Sequence, residues 1–250
     1  MSRSGPDDAA RPGPCMDMSG RAGADALPAL RDLSRQAVAH ALGRAQARTV
    51  AGGAENGAPW PVAVDGTAGN GHDTLFLARL VGARGVVHAF DVQPGALART
   101  AERLAAAGLD GRVALHGRGH EELAAALAAP LVMPQATPLT TPDTGGVCPP
   151  CVTAAMFNLG FLPGSDRSVI TRPDTTLAAL DGLLPLLAPG GVVSLHVYAG
   201  HPGGADEAAA LDRRLAGLDW DRWRVARYEF ANKPRNPERL LLVSRLPDPA

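Results

Sequence analysis

The stretch Val62-Ala-Val-Asp-Gly-Thr-Ala-Gly-Asn-Gly-His-Asp73 constrains this chain more than any other. A short apolar run ends in an acid, and Gly66, Gly69 and Gly71 then crowd together. A helical apolar pattern follows at once, with Leu75, Leu77 and Leu80 among its members. Strand, tight glycine turn and helix N-terminus make a place where a ligand can approach bare backbone. The segment therefore predicts a cofactor site at the tip of a strand.

The remaining chain alternates in the same way. Leu27 to Arg48 reads as an amphipathic helix that packs beside the sheet or over the site, with Leu30, Leu33, Val38, Leu42 and Ala45 at helical spacing. Strands are expected at Val62–Val64, Val86–Phe90, Arg112–His116, Val152–Phe157 and Val192–Tyr198. Helices are expected after the glycine turn to Leu80, from Pro94 through Leu104, over Glu121–Ala128, from Asp174 to Leu187 and over Ala205–Leu215. Trp223–Phe230 and Arg239–Ser244 read as an antiparallel hairpin. The sum is an α/β fold: a doubly wound, mostly parallel seven-stranded sheet with a C-terminal antiparallel hairpin. Residues 1–26, rich in Gly, Pro, Ser and Ala, are expected to be a disordered tail, with one domain over 27–250. The Pro- and Thr-rich stretch 130–150 is expected to be a flexible insertion within it.

In such sheets ligands sit beyond the carboxyl ends of the strands, where Asp65, Asp91, His120, Asn158 and Tyr198 all fall. The spacing Gly66-x-x-Gly69-x-Gly71 differs from the Gly-x-Gly-x-x-Gly that suits a pyrophosphate. Asp65, ending the first strand, would repel a pyrophosphate and attract an ammonium. S-adenosylmethionine is thus favoured over a dinucleotide. Asp91, ending the second strand, is placed to accept hydrogen bonds from ribose hydroxyls, whichever the cofactor. The plainer alternatives are a helix-capping Asp65 and a turn-forming Asp91.

Four segments in order carry a specific resemblance: Asp65-Gly-Thr-Ala-Gly-Asn-Gly-His-Asp-Thr74, Ala89-Phe-Asp-Val-Gln93, Phe157-Asn-Leu-Gly-Phe-Leu-Pro-Gly164 and Val197-Tyr-Ala-Gly-His-Pro-Gly203. From about Leu30 to Leu246 the chain resembles a bacterial family of class I methyltransferases long described as rRNA methylases. Its characterised members are MnmM-type tRNA methyltransferases, which methylate the amine of 5-aminomethyl-2-thiouridine at the wobble position. The resemblance implies that Thr67, Gly69, Asn70, Gly71 and Asp73 hold the methionine end of the cofactor. It implies that Asp91 and Gln93 hold the ribose and adjoining adenosine atoms, and that Gly119 and His120 lie near the adenine. Thr67 stands where methyltransferases in general carry a glycine, and the 130–150 insertion is longer than the family pattern.

An alkylamine must lose a proton before it can attack, and an acceptor must fix its lone pair. Asn158 is the expected acceptor, with the Leu159 carbonyl and the neighbouring Gly160 completing the substrate wall. Tyr198 and His201 are the candidate proton acceptors. His196 reads as a core histidine, and His72 as a residue that shapes the turn or touches cofactor.

Net charge is −1, so no global basic field advertises nucleic acid. Lys233, the only lysine, and Arg235 sit in the hairpin loop as candidate contacts for tRNA phosphates near the anticodon. A homodimer is a further partner option. Cys148-Pro-Pro-Cys151 has zinc or redox spacing but lacks a second pair, and no metal is expected. No apolar run reaches membrane-span length and no signal-peptide core is present, so a cytoplasmic setting is expected. Two competitors stand beside the tRNA reading: an rRNA or small-molecule amine methyltransferase, and a non-catalytic nucleotide-binding module.

Overall fold

The computed structural model describes residues 27–51, 60–129, 152–161, 170–233 and 238–247. The 1–26 tail, the 130–150 insertion, all three cysteines and Arg235 lie outside the described residues.

The elements follow the expected alternation. Helix α1 covers Leu30–Ala51, β1 Val62–Asp65, α2 His72–Leu80, β2 Val86–Phe90, α3 Pro94–Ala106, β3 Val113–His116 and α4 Leu123–Ala128. They are followed by β4 Val152–Leu159, α5 Pro173–Leu183, β5 Leu187–Tyr198, α6 Gly204–Ala216, β6 Trp223–Glu229 and β7 Glu238–Arg245. The seven strands lie in the order β3-β2-β1-β4-β5-β7-β6. The first five are parallel, and β7 runs antiparallel between β5 and β6.

Parallel strands covered on both faces need apolar residues at nearly every position. Strand β2 accordingly has all five residues buried. On one face Leu77, Ala78 and Leu104 from α2 and α3 join Val38 and Leu42 of α1. On the other, Leu123, Leu180, Leu183, Leu211 and Leu215 from α4, α5 and α6 close the core. The chain builds outward from β1 to β3, then returns to place β4 on the other side of β1. A crevice opens at such a reversal, beyond the carboxyl ends of the strands. The glycine turn sits there. No helix among the described residues is long and apolar enough to cross a membrane.

Of the boundaries that differ from expectation, three shape the sheet or the site. Helix α5 ends at Leu183, and a 3-10 turn carries Leu184–Leu186. Pro185 explains it, because proline supplies no N–H and its ring crowds the preceding helical turn. Strand β5 begins at Leu187 and takes in Pro189-Gly190-Gly191 as an irregularity: Leu187 pairs with Val152, and regular pairing resumes at Val192 opposite Ala154. Gly190 has φ +78°, and its carbonyl accepts from Arg44, so α1 holds the kink in place. Strand β4 runs on through Asn158 and Leu159, with Asn158 paired opposite His196 rather than starting a turn.

That extension matters for what lies above it. Asp65 ends β1 opposite Met156, so Phe157, Asn158 and Leu159 project beyond the β1 tip. The Phe157 ring closes under the glycine turn, where a Cβ on Gly66 would lie 2.1 Å from its Cε1. Phe157 is buried and cannot swing clear. Gly66→Ala is expected to destabilise the fold by about 1–3 kcal/mol in urea unfolding, as overpacked cores do. Adding Phe157→Leu should recover part of the loss; full stability in Gly66→Ala alone would contradict the packing.

Candidate active site

The crevice holds a cavity of about 1120 Å³, somewhat larger than a usual small-molecule pocket. Its floor is the glycine turn. Gly66 N–H donates to the Met156 carbonyl and Ala68 N–H to the Phe90 carbonyl, so the turn is laced to β4 and β2. Gly69 and Gly71 take φ of 53° and 76°, a region that favours glycine. Gly71 N–H closes on the Ala68 carbonyl, and α2 starts immediately after.

Asp91, at the tip of β2, accepts Gly69 N–H on Oδ2 at 2.9 Å and Gln93 N–H on Oδ1 at 2.8 Å. Each oxygen keeps a lone pair beyond its backbone donor. Asp91 and Gln93 both line the cavity. Gly119 and His120 line it after β3. His120 Nδ1 faces the Gly66 carbonyl at 3.2 Å, so Nδ1 carries the proton and Nε2 keeps its lone pair. Nε2 is buried with no partner among the described residues, and burial holds the imidazole below its ordinary pKa. It is a neutral acceptor.

Asp73, in the first turn of α2, takes two partners. Arg35 of α1 donates from Nη2 at 2.7 Å and Nε at 3.2 Å, both to Oδ1. Asn158 Nδ2 donates to Oδ2 at 2.9 Å. A carboxylate accepts only, so this bond assigns the Asn158 amide nitrogen towards Asp73 and leaves its Oδ1 as an acceptor. Asn158 N–H donates to Thr67 Oγ1 at 2.7 Å. That bond gives a physical reason for threonine where the general motif of the resembled methyltransferases carries glycine: the hydroxyl ties the turn to the projecting end of β4. Asn70 lines the cavity, but its Oδ1 accepts from Arg99 of α3.

Beyond β5, His201 Nδ1 faces the Pro202 carbonyl at 3.0 Å, which puts the proton on Nδ1 and a lone pair on Nε2. His201 Nε2 is buried and has no partner among the described residues. The ring packs between Gly160 and Gly204, whose added Cβ atoms would come within 3.6 and 2.9 Å of Nε2. Tyr198 stacks on His196 at 4.4 Å, and His196 in turn is bonded to Glu238. Burial, with the Glu238 and Asp73 carboxylates adding, pushes the Tyr198 phenol up to about 12. It stays protonated.

Some expectations are corrected. Asp65 is buried and absent from the cavity wall; its Oδ1 accepts Thr67 N–H and its Oδ2 the Thr74 hydroxyl. Of the two acids in the Asp65–Asp73 segment, the one facing the cavity is Asp73. Gly71 packs under the turn against Thr100, and neither it nor Leu159, expected through its carbonyl, is among the residues lining the cavity. Tyr198 is a donor, which leaves His201 as the acceptor of the pair. Lys233 pairs with Glu238 and lies away from the cavity. Arg31 and Arg35 of α1, together with Phe161 and Arg172, complete the wall without having been singled out. The two α1 arginines stand one helical turn apart, the one signal that could have exposed them.

The family described as "Putative rRNA methylase" matches residues 87–244. A curated relative, the tRNA (mnm(5)s(2)U34)-methyltransferase, chloroplastic, of Arabidopsis thaliana, is 33% identical over 189 residues, which is 73% of this chain. The aligned part spans 62% of that relative's length. A solved "putative methyltransferase" of Streptococcus mutans in complex with SAH is 29% identical with a TM-score of 0.66, covering 88% of this chain and 99% of that one. A solved "putative rRNA-methylase" of Clostridium thermocellum is 34% identical with a TM-score of 0.65, covering 75% of this chain and 90% of that one.

The buried acid beneath the turn makes a measurable electrostatic signature. Burial first, then the neighbouring Asp73 carboxylate, raises the Asp65 pKa from 3.8 to about 7 against the opposing bonds from Thr74 and Thr67. Between these values the folded chain holds a proton that the unfolded chain has released, so stability falls as pH rises from about 4 to 7. Urea unfolding across that range should show this decline, and Asp65→Asn should remove it. An identical pH profile in the variant would contradict the assignment.

Proposed function

The chain belongs to the family described as "Putative rRNA methylase", and on that premise we propose that it transfers a methyl group from S-adenosylmethionine to the aminomethyl nitrogen of 5-aminomethyl-2-thiouridine at the tRNA wobble position. The observation that carries this reading is the Arg35–Asp73–Asn158 chain, which sets a side-chain acceptor at the end of β4 inside the cavity. A site that only bound a nucleotide would have no use for an acceptor there. The Arabidopsis relative's name supports the tRNA substrate, and the SAH bound to the Streptococcus mutans structure supports the cofactor. The cytoplasmic setting remains part of the proposal and rests on the sequence alone, since the Arabidopsis relative is chloroplastic.

The cavity suits the cofactor on its own features. Asp91 offers two oxygens to a ribose diol, and the unpartnered Nε2 of His120 offers an acceptor to an adenine amine. Gln93, Gly119, Thr67, Asn70 and Asp73 add to that wall, with Asp73 the acid that would hold a methionine ammonium. When bound, the cofactor supplies an electrophilic methyl on a sulfonium: the S–C bond breaks as the N–C bond forms. Water-poor surroundings favour the neutral amine. Asn158 Oδ1 accepts one amine N–H and so turns the lone pair along the line of attack. His201 Nε2 takes the proton that the methylated nitrogen sheds. Tyr198 donates and does not serve as base.

Incubating the purified chain with S-adenosylmethionine and tRNA bearing the aminomethyl nucleoside, then digesting for mass spectrometry, should yield the N-methylated nucleoside. Unchanged nucleoside would sink the reading. Asn158→Ala is expected to slow methylation roughly 100-fold, as loss of alignment does, with calorimetric affinity for S-adenosylmethionine nearly unchanged. Asp91→Ala should instead weaken cofactor binding by roughly 10- to 100-fold, since hydrogen bonds to a charged group are lost. The reverse pattern would exchange the two roles.

A further inference from the structure

Several cations of the C-terminal half are neutralised in place. Lys233 meets Glu238 at 2.5 Å, Arg214 meets Asp181 at 2.7 Å, and Arg239 meets Asp212 at 2.6 Å. Arg227 reaches both Asp212 and Glu229 at 3.7 Å. The hairpin loop therefore offers no free lysine to a phosphate.

The opposite holds between α2 and α3. A cleft of about 690 Å³ opens there, walled by Arg79, Arg99 and Arg103, with Glu102 its sole acid. None of the three arginines has a carboxylate partner among the described residues. The Arg79 guanidinium has no hydrogen bond there either. Arg99 and Arg103 are fixed through Nε, at 2.8 Å each, to the side-chain and main-chain oxygens of Asn70. Arg99's terminal nitrogens are left unpartnered among the described residues, and Arg103 Nη2 stands 3.4 Å from His72 Nε2. Partial burial, then the Arg103 guanidinium, hold His72 below its ordinary pKa. Arginine forks held by one edge are suited to present the other edge to a phosphate.

Asn70 and His72 also line the proposed active-site cavity. The arginine cleft and that cavity thus share one wall, so a polynucleotide with one base in the cavity would carry its backbone past the cleft. We propose that the α2–α3 cleft, through Arg79, Arg99 and Arg103, binds backbone phosphates of the RNA substrate. The inference rests on the tRNA reading above and places a phosphate contact on this face of the chain, where Lys233 of the hairpin is already paired with Glu238.

Arg79 is the residue to test, because it touches neither Asn70 nor the cofactor cavity. Binding of tRNA is measured across a potassium chloride series for the wild type, Arg79→Gln, Arg79→Glu and, as a control, Arg214→Gln. A phosphate contact contributes about 0.7–0.9 to the slope of log affinity against log salt. Arg79→Gln should lower the slope by about that amount, and Arg79→Glu should weaken binding further. Arg214→Gln should match the wild type, and all four should bind S-adenosylmethionine alike. A wild-type slope and affinity in both Arg79 variants would overturn the cleft while leaving the tRNA reading intact. A wild-type chain that fails to bind tRNA at all would overturn both.

Discussion

The carboxylate of Asp73 ties three parts of the fold together above the sheet. It receives Arg35 from α1 on one oxygen and Asn158 from β4 on the other, while belonging itself to the first turn of α2. Both members of the ion pair are partly shielded, with side-chain exposures of 31% for Arg35 and 12% for Asp73. Removing one member would leave the other partly buried and unpaired, which costs more than the pair contributes. The pair also sets the orientation of an amide that could otherwise flip. A hydrogen-bond network of this kind fixes a direction in space, and direction is what an in-line methyl transfer requires.

The rest of the fold supports that arrangement. The strand order reverses between β1 and β4, opening the crevice. Strand β4 outruns β1, so Asn158 stands over the turn and meets Thr67. Beneath it, Phe157 fills the space that Gly66 leaves empty. Asp65 takes up the next layer down, held by Thr67 and Thr74 and kept near neutrality by burial. One acid thus organises the turn from below and a second faces the cavity from above.

Much of the fold was legible in the sequence because parallel strands advertise themselves as short apolar runs bounded by turn residues. Strand β2 falls on its expected limits, and the hairpin pairs as expected. The departures have local causes: Pro185 shortens α5, and the Pro189-Gly190-Gly191 kink is absorbed into β5 because Arg44 and Arg48 of α1 hold its carbonyls. Asp91, His120, Asn158 and Tyr198 were legible as cavity-lining residues for the same topological reason. The arginines of α1 were not, since which face of a helix overlooks a site is decided by tertiary packing. Nor could the sequence separate Asp65 from Asp73, because burial, not residue type, decides which acid meets a ligand. Lys233 looked free until Glu238, five positions on, was found across the hairpin.

With Asn158 aligning the amine as proposed, Arg35 acts on methyl transfer only through Asp73 and Asn158, as one unit with them. A double-mutant cycle on the methylation rate, with Arg35→Gln and Asn158→Ala alone and combined, tests it most directly. Coupled residues give strongly non-additive losses. The combined variant should be no slower than Asn158→Ala alone, within about twofold. A combined loss equal to the product of the two single losses would show that Arg35 and Asn158 work separately, and would contradict the account.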